Sequence, residues 1–234
     1  MKYLIKWSGL ILLLVVSQGA SAGEPWQDAL ERMPLAAPTT ELNRTNCVPL
    51  MLNAFQSNGV VKALIFMPGA TDELYFFQRA HATLTNATPS LLDAVTALTN
   101  QTHIQATFQP PLLLLHTTED SLDVIAVVKN ESTAAKLHQQ IVPGRVQLND
   151  ADWGIARATL KGKLSIGLRP FENDSETWHF YRHNFSACGV TDWEMLEMLA
   201  LSGKTTFTVN WLTATFQPDN RKGVAPKLEE FPLR

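Results

Sequence analysis

The chain has 234 residues, 45% hydrophobic and 18% charged, with a formal net charge of −3 and two cysteines. A mildly acidic balance excludes nucleic acid and anionic membrane surfaces as expected partners, because both demand a dense basic face. Two cysteines exclude a disulfide framework and leave room for one bridge at most.

Lys2 and Lys6 lead into an uncharged apolar run, Leu10 to Val16, which is followed by Ala20, Ser21 and Ala22. Basic start, apolar core and small residues in that order make a secretory signal, with cleavage expected between Ala22 and Gly23. The run is shorter than the roughly 20 apolar residues of a membrane-spanning helix, so no span is expected after processing. Loss of residues 1–22 removes two lysines and no acid, taking the charge from −3 to −5. An exported protein, periplasmic or secreted, is therefore expected. Its first stretch, residues 23–45, reads as an N-terminal surface arm.

Val48, Met51, Leu52 and Phe55 then recur at helical spacing, with Asn46 as a cap and Gly59 beyond the end. A short strand, Val61 to Met67, stops at Pro68, and a longer one is expected over 73–85. Thr88 as cap and Pro89 in the first turn open a helix over 89–101, whose apolar face is Leu91, Leu92, Val95 and Leu98. One closing strand runs from Ile104 to His116. Residues 117–145 read as a linker, with a short helix over 131–140 and a turn at Pro143-Gly144.

The same order then returns. Trp153, Ala156 and Leu160 make a helix between Asp150 and Gly162, and a strand from Leu164 to Arg169 stops at Pro170. A long strand is expected over 176–187. Thr191 and Glu194 form a capping box for a helix over 192–202, and Gly203 stops it. A closing strand runs from Thr205 to Gln217, and 218–234 reads as a tail. Gly59, Pro68, Glu73, Phe77 and Arg79 face Gly162, Pro170, Glu176, Phe180 and Arg182 at separations of 102 or 103 positions. A duplication is the expectation: repeat 1 over 46–116 and repeat 2 over 146–217. The fold class expected is α+β, two tandem copies of a small mixed sheet, each covered by two helices.

The stretch from Ala82 to His116 resembles part of the short N-terminal domain of secretins and TonB-dependent receptors. Ser90-Leu91-Leu92-Asp93-Ala94-Val95 and Leu98 fit the helix of that module, which stands between strands. His103 stands where the family usually has glycine, and Pro110-Pro111 is foreign to it. The resemblance implies a small α+β module that binds other proteins and performs no chemistry, acting here without a pore or a barrel.

No phosphate-cradling glycine loop, dinucleotide fingerprint, nucleophile elbow or paired-cysteine metal motif occurs. His179 and His183 would sit about 13 Å apart on a strand, too far to share a metal. Cys188 before a helix start is weak evidence for a reactive thiol. No cofactor and no metal is expected. The six glycosylation sequons, at Asn43, Asn86, Asn100, Asn130, Asn173 and Asn184, follow from richness in serine and threonine. Aromatic residues at 74–77 and 178–181 are expected in the core. Cys47 and Cys188 are the only pair that could form a disulfide, set against two separately packed thiols.

These features point to an exported, non-enzymatic interaction module with a protein partner in the cell envelope. The alternative is a small hydrolase or ligand-binding protein with its site in a crevice between the repeats. That alternative requires Arg79, Arg182, His81 and His183 to converge.

Overall fold

The computed structural model describes residues 25–36, 40–43, 45–67, 80–117, 121–170 and 182–219. Helix α1 (Pro25–Glu31) and strand β1 (Glu41–Leu42) come first, then α2 (Cys47–Ala54), β2 (Ala63–Phe66) and β3 (Ala82–Thr83). Helix α3 (Leu91–Gln101) leads to a hairpin of β4 (Gln105–Gln109) and β5 (Leu112–His116). Strand β6 (Ala126–Val128) and helix α4 (Glu131–Gln139) connect the halves. The second half holds β7 (Arg145–Ala151), α5 (Trp153–Leu160), β8 (Gly167–Pro170), β9 (His183–Cys188) and α6 (Asp192–Ser202). It ends in a hairpin of β10 (Thr205–Val209) and β11 (Thr213–Pro218). The chain is α+β.

The two halves are wired alike. β1 pairs antiparallel with β3, as β7 does with β9. β2 lies parallel to β5, as β8 does to β11. Register agrees as well: Leu42 faces Ala82, and Leu148 faces Phe185. Ala82 and Phe185 are 103 positions apart, the separation read from the sequence, while Leu42 and Leu148 are 106 apart, as are the helix caps Asn46 and Asp152. Phe77, Phe180 and Arg79, named above as matched positions, lie outside the described residues.

Several sequence expectations need correction. The arm over 23–45 is no surface arm: Trp26, Leu30, Met33, Leu35 and Leu42 are buried in the first core, and β1 starts the first half. The cap of α3 is Ser90, not Thr88. The Ser90 side chain accepts from the Asp93 N–H while the Asp93 carboxylate accepts from the Ser90 N–H, a reciprocal box. Asn46 caps nothing with its side chain, whose Oδ1 accepts from the Asn43 N–H instead. Each closing strand is two strands, folded back at Pro110-Pro111 and at Trp211-Leu212. Thr191, Glu194 and Gly203 bound α6 as expected, and α4 occupies the linker.

The largest departure is that the halves do not keep separate sheets. β2 of the first half pairs antiparallel with β9 of the second, giving a five-stranded sheet in the order β4-β5-β2-β9-β7. One face of it, with Leu64, Phe66, Leu113 and Leu115, enters the first core. The other, with Ala63, Ile65, Leu112, Leu114, Phe185 and Leu148, enters the second. Sheets buried on both faces read as unbroken apolar runs, which is why Ala63 to Phe66 and Leu112 to Leu115 show no alternation. A four-stranded sheet, β6-β10-β11-β8, closes the second core.

Polar contacts stitch the seam. Arg145 Nη2 donates to the Leu52 carbonyl at 2.6 Å, at the end of α2, and its Nε donates to Ser186 Oγ at 3.0 Å. Gln147 Nε2 donates to Asn53 Oδ1 at 2.8 Å, and Ser57 Oγ to the Cys188 carbonyl at 2.7 Å. A cation at a helix C-terminus also meets the favourable end of the dipole. Because Arg145 is exposed, Arg145→Ala is expected to remove about 1 kcal/mol. A lowered urea midpoint at unchanged slope would register it, and an unchanged midpoint would contradict it.

Candidate functional site

Of the residues singled out for a shared crevice, His81, Arg182 and His183 take three different surroundings. Arg79 and His179 lie outside the described residues. His81 is exposed beside β3 and faces Glu41, with Nε2 to Oε2 at 3.6 Å. Arg182 precedes β9 and meets Asp150, its Nε 3.7 Å from Oδ1 and its Nη1 donating to the Asp150 carbonyl at 3.3 Å. Asp150 reaches it from a bulge in β7, where its backbone takes a φ of 51°. His183, one residue after Arg182, points the opposite way into the second core and is buried. Alternation along a strand separates neighbours in this manner.

Burial governs His183. Its Nδ1 lies 2.8 Å from Ser202 Oγ, which gives its proton to the Met198 carbonyl at 2.7 Å, so Nδ1 carries the hydrogen. The ring stands 5.8 Å from that of Trp153. Desolvation lowers its pKa to about 4, against a weaker opposing pull from Asp152. The neutral imidazole, 1% exposed, packs against Trp153.

Both cysteines are free thiols. Cys47 is buried at the start of α2, where desolvation raises its pKa to about 12, and Cys188 is half-buried at the end of β9. A thiol held in its protonated form is a poor nucleophile. Among the described residues, no group of three or more His, Cys, Asp or Glu side chains could hold a metal ion, and no helix is long and apolar enough to cross a membrane.

The feature that does stand out is a groove of about 700 Å³ between α5 and β8. Asp152 caps α5 by accepting from the Ile155 N–H at 2.8 Å, and Gly162, at φ 78°, turns the chain back after the helix. The connecting turn is pinned to α6 through Ser165, whose N–H and Oγ both donate to the buried Asp192 carboxylate. Trp153, Leu160, Ile166 and Leu168 make the apolar floor, with Trp153 packed 4.9 Å from Phe216. Arg157, Lys161 and Arg169 are exposed on the lining, and no acid is among the described residues that line it. Next to it, the hairpin tip carries Trp211 and Leu212 at 74% and 81% exposure, and the Gly167 N–H donates to the Leu212 carbonyl at 2.9 Å.

The first half uses the matching surface. There α2 and β2 flank the equivalent place, and β9 with β7 fills it. Its hairpin tip, Pro110-Pro111, shares a surface depression with Glu194 of the second half. The groove carries no catalytic signature that sequence reading could have caught. The exposed tip escapes a sequence reading, because Trp211-Leu212 continues the apolar strand pattern where a tight turn usually carries glycine, asparagine or proline.

The chain matches no protein-family model, no curated protein and no solved structure in the comparisons made.

Proposed function

We propose that this chain is an exported, non-enzymatic interaction module, built from two units of the kind found at the N-termini of secretins and TonB-dependent receptors. It would work in the periplasm or outside the cell with a protein partner. The observation that supports this reading is the groove between α5 and β8. It is the counterpart of the surface that holds β9 in the first half, yet among the described residues no strand lies along β8 there. Exposed aromatic and aliphatic side chains at the adjoining tip are the kind of anchor that interfaces bury. The chemistry of the groove, three cations over an apolar floor with the Ser165 hydroxyl donating to Asp192, suits holding a chain better than cleaving one.

Affinity recovery of the tagged protein from the envelope fraction of the exporting cell tests the reading. One protein is expected at near one-to-one ratio, released by an excess of the untagged chain. Recovery of the tagged chain alone would overturn it. N-terminal sequencing of the same material is expected to start at Gly23, and a retained Met1 would overturn export.

A further inference from the structure

We infer that the groove between α5 and β8 accepts an extended acidic segment of a partner protein, which adds to β8 as an antiparallel strand. This rests on the interaction-module reading and names the chemistry of the partner. The template is internal. In the first half, β9 lies antiparallel along β2 with Leu64 opposite Ser186 and Phe66 opposite Asn184, and the Cys188 N–H donates to the Lys62 carbonyl at 3.0 Å. β8 has the same place as β2: parallel to the second strand of a hairpin and beside the first helix of its half.

Backbone alternation fixes what β8 offers. The Gly167 N–H is turned inward to the Leu212 carbonyl, so Arg169 is also turned inward, and Leu168 and Pro170 face the open side. Pro170 has no N–H to leave unpaired there, as expected of an edge strand. Among the described residues no strand lies along that edge, which presents the Leu168 N–H and the carbonyls of Leu168 and Pro170. An incoming residue opposite Leu168 would exchange both backbone bonds with it and place its side chain on the same side as Leu168, over the apolar floor. Its neighbours would emerge on the far face, beside Arg169. Apolar and acidic residues in alternation satisfy both sides, with Arg157 and Lys161 adding to the attraction at the rim.

A second copy of this chain is a poorer occupant. The edge of β3, the counterpart of β9, is already engaged: the Gln101 amide donates to the Thr83 carbonyl and accepts from the Thr83 N–H, both at 2.9 Å. The outer face of β8 and β11 is also polar, with Arg169, Thr213, Thr215 and Gln217, where β2 and β5 carry Ala63, Ile65, Leu112 and Leu114. A terminal unit with a polar outer face ends an array.

The test uses a synthetic decapeptide of alternating valine and glutamate, titrated into the full mature chain and followed by amide NMR shifts. Saturable binding is expected, with shifts concentrated at 153–169. N-methylation of the valine amides is expected to weaken binding at least tenfold, while N-methylation of the glutamate amides leaves it in place. Arg169→Glu is expected to weaken it roughly tenfold and to favour instead a lysine peptide, the decapeptide with every glutamate replaced by lysine, which binds the unaltered chain weakly. Arg157→Glu, on the exposed face of α5, gives the same reading if Arg169→Glu fails to fold. Equal binding of both N-methylated forms, equal binding of the lysine peptide, or no saturation by millimolar peptide would each overturn the inference. Should an envelope partner be recovered while the peptide fails, strand addition falls and the interaction reading stands.

Discussion

Phe185→Ala is expected to destabilise both halves of the chain together, by about 3–5 kcal/mol, a large share of the 5–15 typical of a folded protein. Phe185 is fully buried on β9, between Ile65 of β2 and Leu148 of β7. Removing its ring opens a cavity in the second core, directly on the wall that separates it from the first. The backbone of β9 completes the hydrogen bonding of β2, so loosening it exposes the edge of the first half's own sheet. Neither half can then lose its order alone. Hydrogen exchange on α3, in the first core, and on α6, in the second, reads the two sides separately. The same drop in protection is expected at both. Retention of wild-type protection in α3, with loss confined to α6, would show that the halves unfold independently and that the shared sheet couples nothing.

This coupling was legible in the residues, but not at the level of motifs. Helix ends were readable because their chemistry is local: Thr191, Glu194 and Gly203 stand next to the helix they bound. The misplaced cap at Thr88 has a local remedy too, since only Ser90 has an acid three positions on to complete the box. The fused sheet depends on a pairing between residues more than 100 positions apart, which no cap or turn encodes. Its trace is the difference between the two copies. Ala63-Leu64-Ile65-Phe66 is apolar throughout, while Gly167-Leu168-Arg169-Pro170 alternates, and only the first strand is covered on both faces. Where copies differ in that way, the apolar one is inside the assembly and the alternating one is at its end. The candidate site followed the same logic. Identical residues in the two copies, above all Arg79 and Arg182, drew attention to shared positions, whereas the groove is distinguished by a difference between the copies: among the described residues no strand lies beside β8.

The stability of the protein is expected to fall by about 2–3 kcal/mol between pH 7 and pH 4.5 through His183 alone. In the unfolded chain this histidine titrates near 6.5, its ordinary value. In the folded chain burial lowers its pKa to about 4. Between those values the unfolded state binds a proton that the folded state refuses, so stability is fully present above pH 6.5 and declines as the pH falls toward 4. The physical reason is visible around the ring. Nδ1 already donates to Ser202, and Nε2 has no partner among the described residues, so a second proton would place a charge among apolar groups with no acceptor. The chain wraps the ring closely, since a Cβ at Gly203 would stand only 2.7 Å from its Cε1. His183→Gln keeps a polar group within reach of Ser202 and cannot take up the proton. Its unfolding free energy, measured by urea at pH 7, 6, 5 and 4.5, is expected to start lower than wild type and to lose about 2–3 kcal/mol less over that range. Two parallel curves would mean that the acid sensitivity belongs to the carboxylates, and that the buried imidazole is protonated without penalty.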